Sequence, residues 1–189
     1  YTPQGKNYLG VDIARMGEDE STFEIICEYM DKYRQVESEV TTKTYTTDTE
    51  KKILELTEKW GIKKIGLDAG AGTLGVSILD HLMETSVRNK VLALNNRALA
   101  LDADGKRKQR MMKEDMYNNL SAMMEKGEIV LLDDDELVLS LRSVQYEYIT
   151  TANQLTKMRI FGNYTHIAEG IIRAAWLAKK EKTLNLWAY

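Results

Sequence analysis

Tyr8-Leu9-Gly10-Val11-Asp12-Ile13-Ala14-Arg15 reads as an apolar strand that carries one acid, Asp12, and opens into the loop Met16-Gly17-Glu18-Asp19. A carboxylate on a core-type strand is costly to bury unless something pairs with it. Two later segments offer company. Ile65-Gly66-Leu67-Asp68-Ala69-Gly70 is a second short apolar strand with an acid near its end, and Thr165-His166-Ile167-Ala168-Glu169-Gly170 opens a helix. Three acids spread over most of the chain are expected to converge on one divalent-metal site. The rest of the chain reads as the scaffold that brings them together.

The bulk properties set the frame. A chain of 189 residues fits one domain with a full core, or a domain with a small appendage. With 43% hydrophobic and 29% charged residues it has the composition of an ordinary soluble globular protein. No apolar run approaches the roughly 20 residues that span a bilayer, so no membrane role is expected. The single cysteine, Cys27, excludes an internal disulfide and most zinc frameworks. It falls in a strand pattern and reads as a small buried apolar residue, consistent with a reducing compartment. The chain starts at Tyr1 without Met, which reads as a piece excised from something longer. A net charge of −3 does not advertise a nucleic-acid binder, but an acidic site and a basic patch can share one domain.

Hydrophobic periodicity orders the elements. Strands are expected at about 8–14, 22–30 and 33–45, consecutive and antiparallel. Thr47 and Glu50 fit a capping box for a helix running to Trp60, with Ile53, Leu56 and Trp60 inward and Gly61 as the stop. A fourth strand at 63–68 leads through Gly70-Ala71-Gly72 into a helix at about 73–84, then a fifth strand at 91–94. Helix and strand in alternation imply parallel pairing of strands one, four and five. After an irregular loop, one long helix is expected from Lys106 to Lys126, with Met111, Met112, Met116, Leu120, Met123 and Met124 as core. A short strand at 128–132, a helix at 135–145 capped by Asp133-Asp134-Asp135, a hairpin of 146–151 with 155–161, and a final helix at 165–182 complete the chain. This order matches a ribonuclease-H-like α/β arrangement: a mixed sheet, three antiparallel strands followed by parallel ones, with helices on both faces. Acids on the first and fourth strands then lie side by side.

Two carboxylates on adjacent strand ends repel unless a cation sits between them. Hard oxygen ligands suit Mg²⁺ or Mn²⁺. His166 and Glu169 share a helix face, and Glu169 heads an apolar helix (Ile171, Ile172, Ala174, Ala175), so it is expected to have a cation partner. His166 is a candidate ligand or proton shuttle. Asp19 reads as bracing its loop. Gly70-Ala71-Gly72-Thr73-Leu74-Gly75 matches GxGxxG, but no acid ends the next strand, so no dinucleotide cofactor is expected. Lys106, Arg107, Lys108, Arg110 and Lys113 cluster where cations oppose a helix dipole, a local cost that points to phosphate contact. Lys157 and Arg159 of the hairpin are further candidates for a DNA backbone.

On these residues the sequence resembles the nuclease domain of the large terminase subunit of tailed viruses. The resemblance rests on Gly10-Val11-Asp12-Ile13-Ala14 with Gly17 and Asp19, on Ile65-Gly66-Leu67-Asp68, and on His166-Ile167-Ala168-Glu169-Gly170 leading an Ala-rich helix. The middle fits too, with a basic-led helix followed by Lys126-Gly127-Glu128-Ile129-Val130. The family usually carries Asp where this chain has Glu169. The resemblance implies an endonuclease that cuts concatemeric viral DNA during packaging, at the procapsid portal in the host cytoplasm. It implies double-stranded DNA, the small terminase subunit and the portal as partners. It also implies an N-terminal ATPase motor in the same polypeptide, in keeping with the lack of a GxxxxGK[ST] loop here, so that residues 1–189 are a single nuclease domain. The mechanism expected is two-metal hydrolysis: Asp12 bridges both ions, Asp68 holds one and Glu169 the other. Alternatives are a Holliday-junction resolvase, ribonuclease H or transposase on the same fold, a non-catalytic DNA-binding or portal-docking module, and half of an actin-like or sugar-kinase ATPase.

Overall fold

The computed structural model describes residues 5–13, 20–43, 45–70, 73–101, 107–150 and 156–185. The first strands are β1 (Lys6–Asp12), β2 (Glu20–Tyr29) and β3 (Lys32–Thr42), each antiparallel to the next. Helix α1 (Thr46–Trp60) leads into β4 (Ile62–Leu67), and α2 (Leu74–Met83) into β5 (Val91–Ala93). Both strands run parallel to β1, in the side-by-side order β5-β4-β1. Then come the ribbon β6 (Leu99–Leu101) with β7 (Arg107–Met111), helix α3 (Met112–Glu125), β8 (Ile129–Val130), α4 (Asp135–Ser143), the hairpin β9 (Gln145–Thr150) with β10 (Thr156–Phe161), and α5 (His166–Asn185). The main sheet is six-stranded and mixed, in the order β5-β4-β1-β2-β3-β8.

Strand alternation sorts side chains to the two faces of this sheet. Leu9, Val11, Phe23, Ile25, Ile65 and Leu67 pack with Ile53 and Leu56 of α1 and with Ile78 and Leu82 of α2. Tyr8, Ile26 and Tyr33 pack on the other face with α3, α4 and α5, through Met116, Leu120, Leu137 and Ile171 among others. The expected three-layer architecture is what forms. Cys27 is buried on β2. Among the described residues no helix is long and apolar enough to cross a membrane.

Three local expectations are corrected. Helix α1 starts two residues earlier: its cap is Tyr45, whose N–H donates to Asp48 Oδ2 at 3.3 Å, so Asp48 takes the reach-back role expected of Glu50. The basic run does not open a helix. Arg107–Met111 is a strand, and α3 begins at Met112 with Glu114 and Asp115 in its first turn. Packing that many cations at three- and four-residue spacing against the positive end of a dipole is unfavourable, whereas acids in the first turn of α3 suit it. Finally, Met124 is 45% exposed rather than core, while Met116, Leu120 and Met123 are buried. The loop residues Gly17 and Asp19, the pair Ala71-Gly72, and the hairpin tip at 152–154 lie outside the described residues.

Candidate active site

The site forms where α5 crosses β1. Gly10 of β1 and Gly66 of β4 are register partners. By strand parity they face α5, as do Tyr8, Asp12 and Glu24. Without side chains at these two positions the helix lies directly on the sheet. A Cβ at Gly10 would collide with the carbonyl oxygen of Gly170 and stand 2.6 Å from the Ala174 nitrogen, and one at Gly66 would meet Leu177 Cδ1 at 3.0 Å. Gly170 is equally constrained, because its own Cβ would stand 2.6 Å from Glu24 Cγ. This close crossing fixes Glu169 and Arg173 beside the strand ends that carry Asp12 and Asp68.

Arg173 is the centre of the cluster. It is fully buried, and its guanidinium reaches three carboxylates: Asp12 Oδ1 at 3.3 Å, Glu169 Oε2 at 3.2 Å and Asp68 Oδ2 at 3.9 Å. Nη1 also donates to the Glu169 carbonyl at 2.6 Å, and Nη2 to Asn96 Oδ1 at 3.3 Å. Burial alone would lower its pKa, but the charges of Asp12, Glu169 and Asp68 outweigh that and hold it above the ordinary value. Arg173 is therefore a permanent cation.

Each acid has further partners. Asp12 Oδ2 lies 3.0 Å from His166 Nδ1. Asp68 Oδ1 accepts the N–H groups of Gly70 at 3.2 Å and Asn96 at 3.5 Å. Helix α2 is packed against the Asp68 backbone, since a Cβ at Gly75 would collide with the Asp68 carbonyl oxygen. The GxGxxG glycine at this position thus serves close helix packing. Glu169 is the most enclosed of the three. Its Oε1 receives Lys113 Nζ at 2.7 Å and the Tyr117 hydroxyl at 2.9 Å, and its Oε2 receives Arg173 at 3.2 Å and Asn96 Nδ2 at 3.4 Å. Burial, together with the Glu169 charge that accepts its hydrogen bond, raises the Tyr117 pKa, so this hydroxyl stays a donor.

The donor set divides in two. The Asp12 and Asp68 side chains are 17% and 22% exposed, and hard oxygens on neighbouring strand ends suit one Mg²⁺-type ion completed by water and phosphate. Glu169 is 6% exposed with two donors on each oxygen, a more enclosed setting than that of either aspartate. Among the described residues, no three His, Cys, Asp or Glu side chains form a ready-made metal cage.

No family model matches the chain, and no curated protein matches it. Solved structures do. The large terminase nuclease of thermophilic phage G20c superposes with a TM-score of 0.66 at 20% identity, over 92% of this chain and 83% of that one. The fold is that of the large terminase nucleases. The Thermus phage P74-26 large terminase nuclease domain gives 0.61 at 20% identity, covering 96% of this chain and 82% of its own. A longer large terminase, from another thermophilic bacteriophage, gives 0.63 at 15% identity, and there this chain spans 40% of that protein. The G20c nuclease is also described with bound magnesium, cobalt and zinc.

Within this terminase-nuclease fold, the four residues expected at the site, Asp12, Asp68, His166 and Glu169, do come together. Of the expected DNA contacts, Arg110 and Arg159 are the two whose side chains are described. Arg110 is exposed on β7, 3.7 Å from Asp115, and Arg159 is exposed on β10, 3.1 Å from Glu147. Arg107 and Lys157 stand on β7 and β10, with side chains outside the described residues, as is the whole of Lys106. Lys113, read with the basic cluster, turns inward to Glu169. Arg173, Asn96 and Tyr117 were not foreseen. The signal for Arg173 was present, as the one charge inside Ile171-Ile172-Arg173-Ala174-Ala175.

Glu24 was also missed. It is fully buried under Gly170, where Gln35 donates to it at 2.7 Å and Ser38 at 3.0 Å. Burial pushes its pKa from 4.5 up to about 8, against the two hydrogen bonds. A raised carboxyl pKa means that the folded state binds the extra proton. Its contribution to stability is complete below the unfolded value and is lost as pH rises through about 8. Glu24→Gln is expected to flatten this slope and to exceed the parent's stability above pH 8 by on the order of 2 kcal/mol. Urea midpoints measured from pH 4.5 to just above 8 check it, and equal slopes for the two proteins would refute it.

Proposed function

We propose that this chain is the nuclease domain of a terminase large subunit, a metal-dependent endonuclease that cuts concatemeric viral double-stranded DNA during packaging. The observation that carries this reading is the pairing of Asp12 and Asp68 on adjacent parallel strand ends, within a fold shared over 92% of the chain with a terminase nuclease. The donor set of these two acids fits Mg²⁺ or Mn²⁺. A divalent ion bound there supplies Lewis acidity and a water of lowered pKa.

The chain's own residues prepare the site. His166 Nδ1 stands 3.0 Å from Asp12 Oδ2 and positions it, while Arg173 holds Oδ1. The Gly70 and Asn96 N–H groups hold Asp68 Oδ1, leaving Oδ2 toward Arg173. Asn96 ties the loop after β5 to both Glu169 and Arg173, so the rim of the site is braced by the same network. Arg110 and Arg159, exposed on two separate ribbons, are suited to contact a phosphate backbone. We read residues 1–189 as one nuclease domain of a longer polypeptide. The longer phage terminase, of which this chain spans 40%, is also described in complex with ATP-gamma-S, which supports an ATPase motor in that polypeptide. By the same reading the small subunit and the portal are partners, and the site of action is the procapsid portal in the host cytoplasm.

The test is conversion of supercoiled plasmid to nicked and linear forms with Mg²⁺, Mn²⁺ or EDTA. Cutting is expected only with metal. Asp12→Asn, which keeps shape and removes charge, is expected to slow it at least about a thousandfold, the scale of a lost electrostatic contributor at a reacting centre. Wild-type cutting by Asp12→Asn would refute the assignment. Four-way junctions and RNA–DNA hybrids cut in preference to duplex would move it to another nuclease of the same fold.

A further inference from the structure

Resting on that nuclease reading, we propose that Arg173 stands in the place of a second cation, so that the Asp12–Asp68 pair takes a single divalent ion. Three observations carry this. First, one guanidinium already serves all three acids, its Nη1 and Nη2 standing 3.2 to 3.9 Å from one oxygen of each. Second, Glu169 has no open oxygen. Lys113 and Tyr117 occupy one and Arg173 and Asn96 the other, and 6% exposure leaves little room for a hydrated ion.

Third, the charge balance favours one ion. Three carboxylates against Arg173 and Lys113 leave a formal charge of −1. One divalent ion turns that to +1, whereas two would leave +3 beside a fully buried guanidinium that cannot move into water. Arg173 is thus a positioning residue. It aligns Asp12 and Asp68 through direct ion pairs and keeps Glu169 as its own anchor rather than as a ligand. Lys113, at the start of α3, completes that anchor from the opposite helix.

The experiment counts Mn²⁺ bound per chain by electron paramagnetic resonance of the free ion, with and without a short hydrolysis-resistant phosphorothioate duplex. The expected result is one ion in the wild type under both conditions, falling to none in Asp12→Asn. In Arg173→Met the count is expected to rise to two, and Mn²⁺ to raise the thermal midpoint more than in the wild type. Arg173→Lys, which keeps a cation, is expected to stay at one. Two ions in the wild type, with metal-dependent cutting intact, would overturn this inference and leave the nuclease reading standing. So would a count of one in folded Arg173→Met. No bound ion together with no cutting would overturn the nuclease reading itself, and this inference with it. If Arg173→Met does not fold, the wild-type and Arg173→Lys counts decide.

Discussion

Gly10→Ala is expected to cost about 3 kcal/mol or more, the upper range for overpacking, although it adds one methyl group. The reason is what that methyl meets. It would run into the Gly170 carbonyl oxygen and stand 2.6 Å from the Ala174 nitrogen, both backbone atoms of α5. A helix backbone cannot rotate aside as a side chain can, so α5 must lift from the sheet. That helix carries buried Ile171, Ile172, Ala174, Ala175 and Ala178, so the displacement loosens one whole layer of the core. Gly66→Ala is the control at the same level of the sheet. There the methyl meets Leu94 Cδ1 at 2.8 Å and Leu177 Cδ1 at 3.0 Å, the far ends of flexible side chains. Its cost is expected to be about 1 kcal/mol. Urea midpoints of the two variants test the argument, and equal costs would refute it. Against a total stability of roughly 5–15 kcal/mol, the Gly10 variant loses a large share of what keeps the chain folded.

The second large effect concerns Arg173. Arg173→Met keeps most of the side-chain volume and removes the charge, leaving three acids without the cation they share. Breaking a buried ion pair on one side costs about 3–5 kcal/mol, because the remaining charge is stranded. The lower end applies here. Asp12 and Asp68 are partly exposed and can hydrate, and Glu169 retains Lys113, Tyr117 and Asn96. Arg173→Met is therefore expected to lose about 3 kcal/mol, and pairing it with Glu169→Gln to return part of that loss. A double-mutant cycle by urea denaturation measures the coupling. A loss under about 1 kcal/mol for Arg173→Met, or strict additivity, would show that the guanidinium does not hold this cluster together.

Much of this geometry was legible before folding. The apolar run in Tyr8–Asp12, alternation in Thr22–Tyr29, helical spacing in the stretch through Ile53 and Leu56, and stops at Gly61 and Gly127 specify elements that form nearly where expected. The parallel crossovers follow from the strand–helix–strand order, and they bring Asp12 and Asp68 side by side. The basic run at 106–110 was misplaced because local charge clustering does not say whether the chain will avoid a helix or accept the cost. Pairing of β7 with β6 settled it, through contacts such as Leu99 opposite Met111 that lie some distance apart in sequence.

The sequence by itself determined which residues are acids on apolar strands, which helix is apolar enough to be buried against the sheet, and that such acids need a counter-charge. Tertiary structure decided what that counter-charge is. Arg173 looks like a lone polar interruption of α5 until Gly10 and Gly170 let the helix settle onto the sheet, which places its guanidinium among carboxylates from three elements. Lys113 looks like part of a basic surface until α3 packs beside α5 and turns it to Glu169. Glu24 looks like an ordinary strand acid until Gly170 covers it. Periodicity reports which face a residue occupies, but the partner on the facing element is chosen by packing, and in a buried site that partner sets the charge.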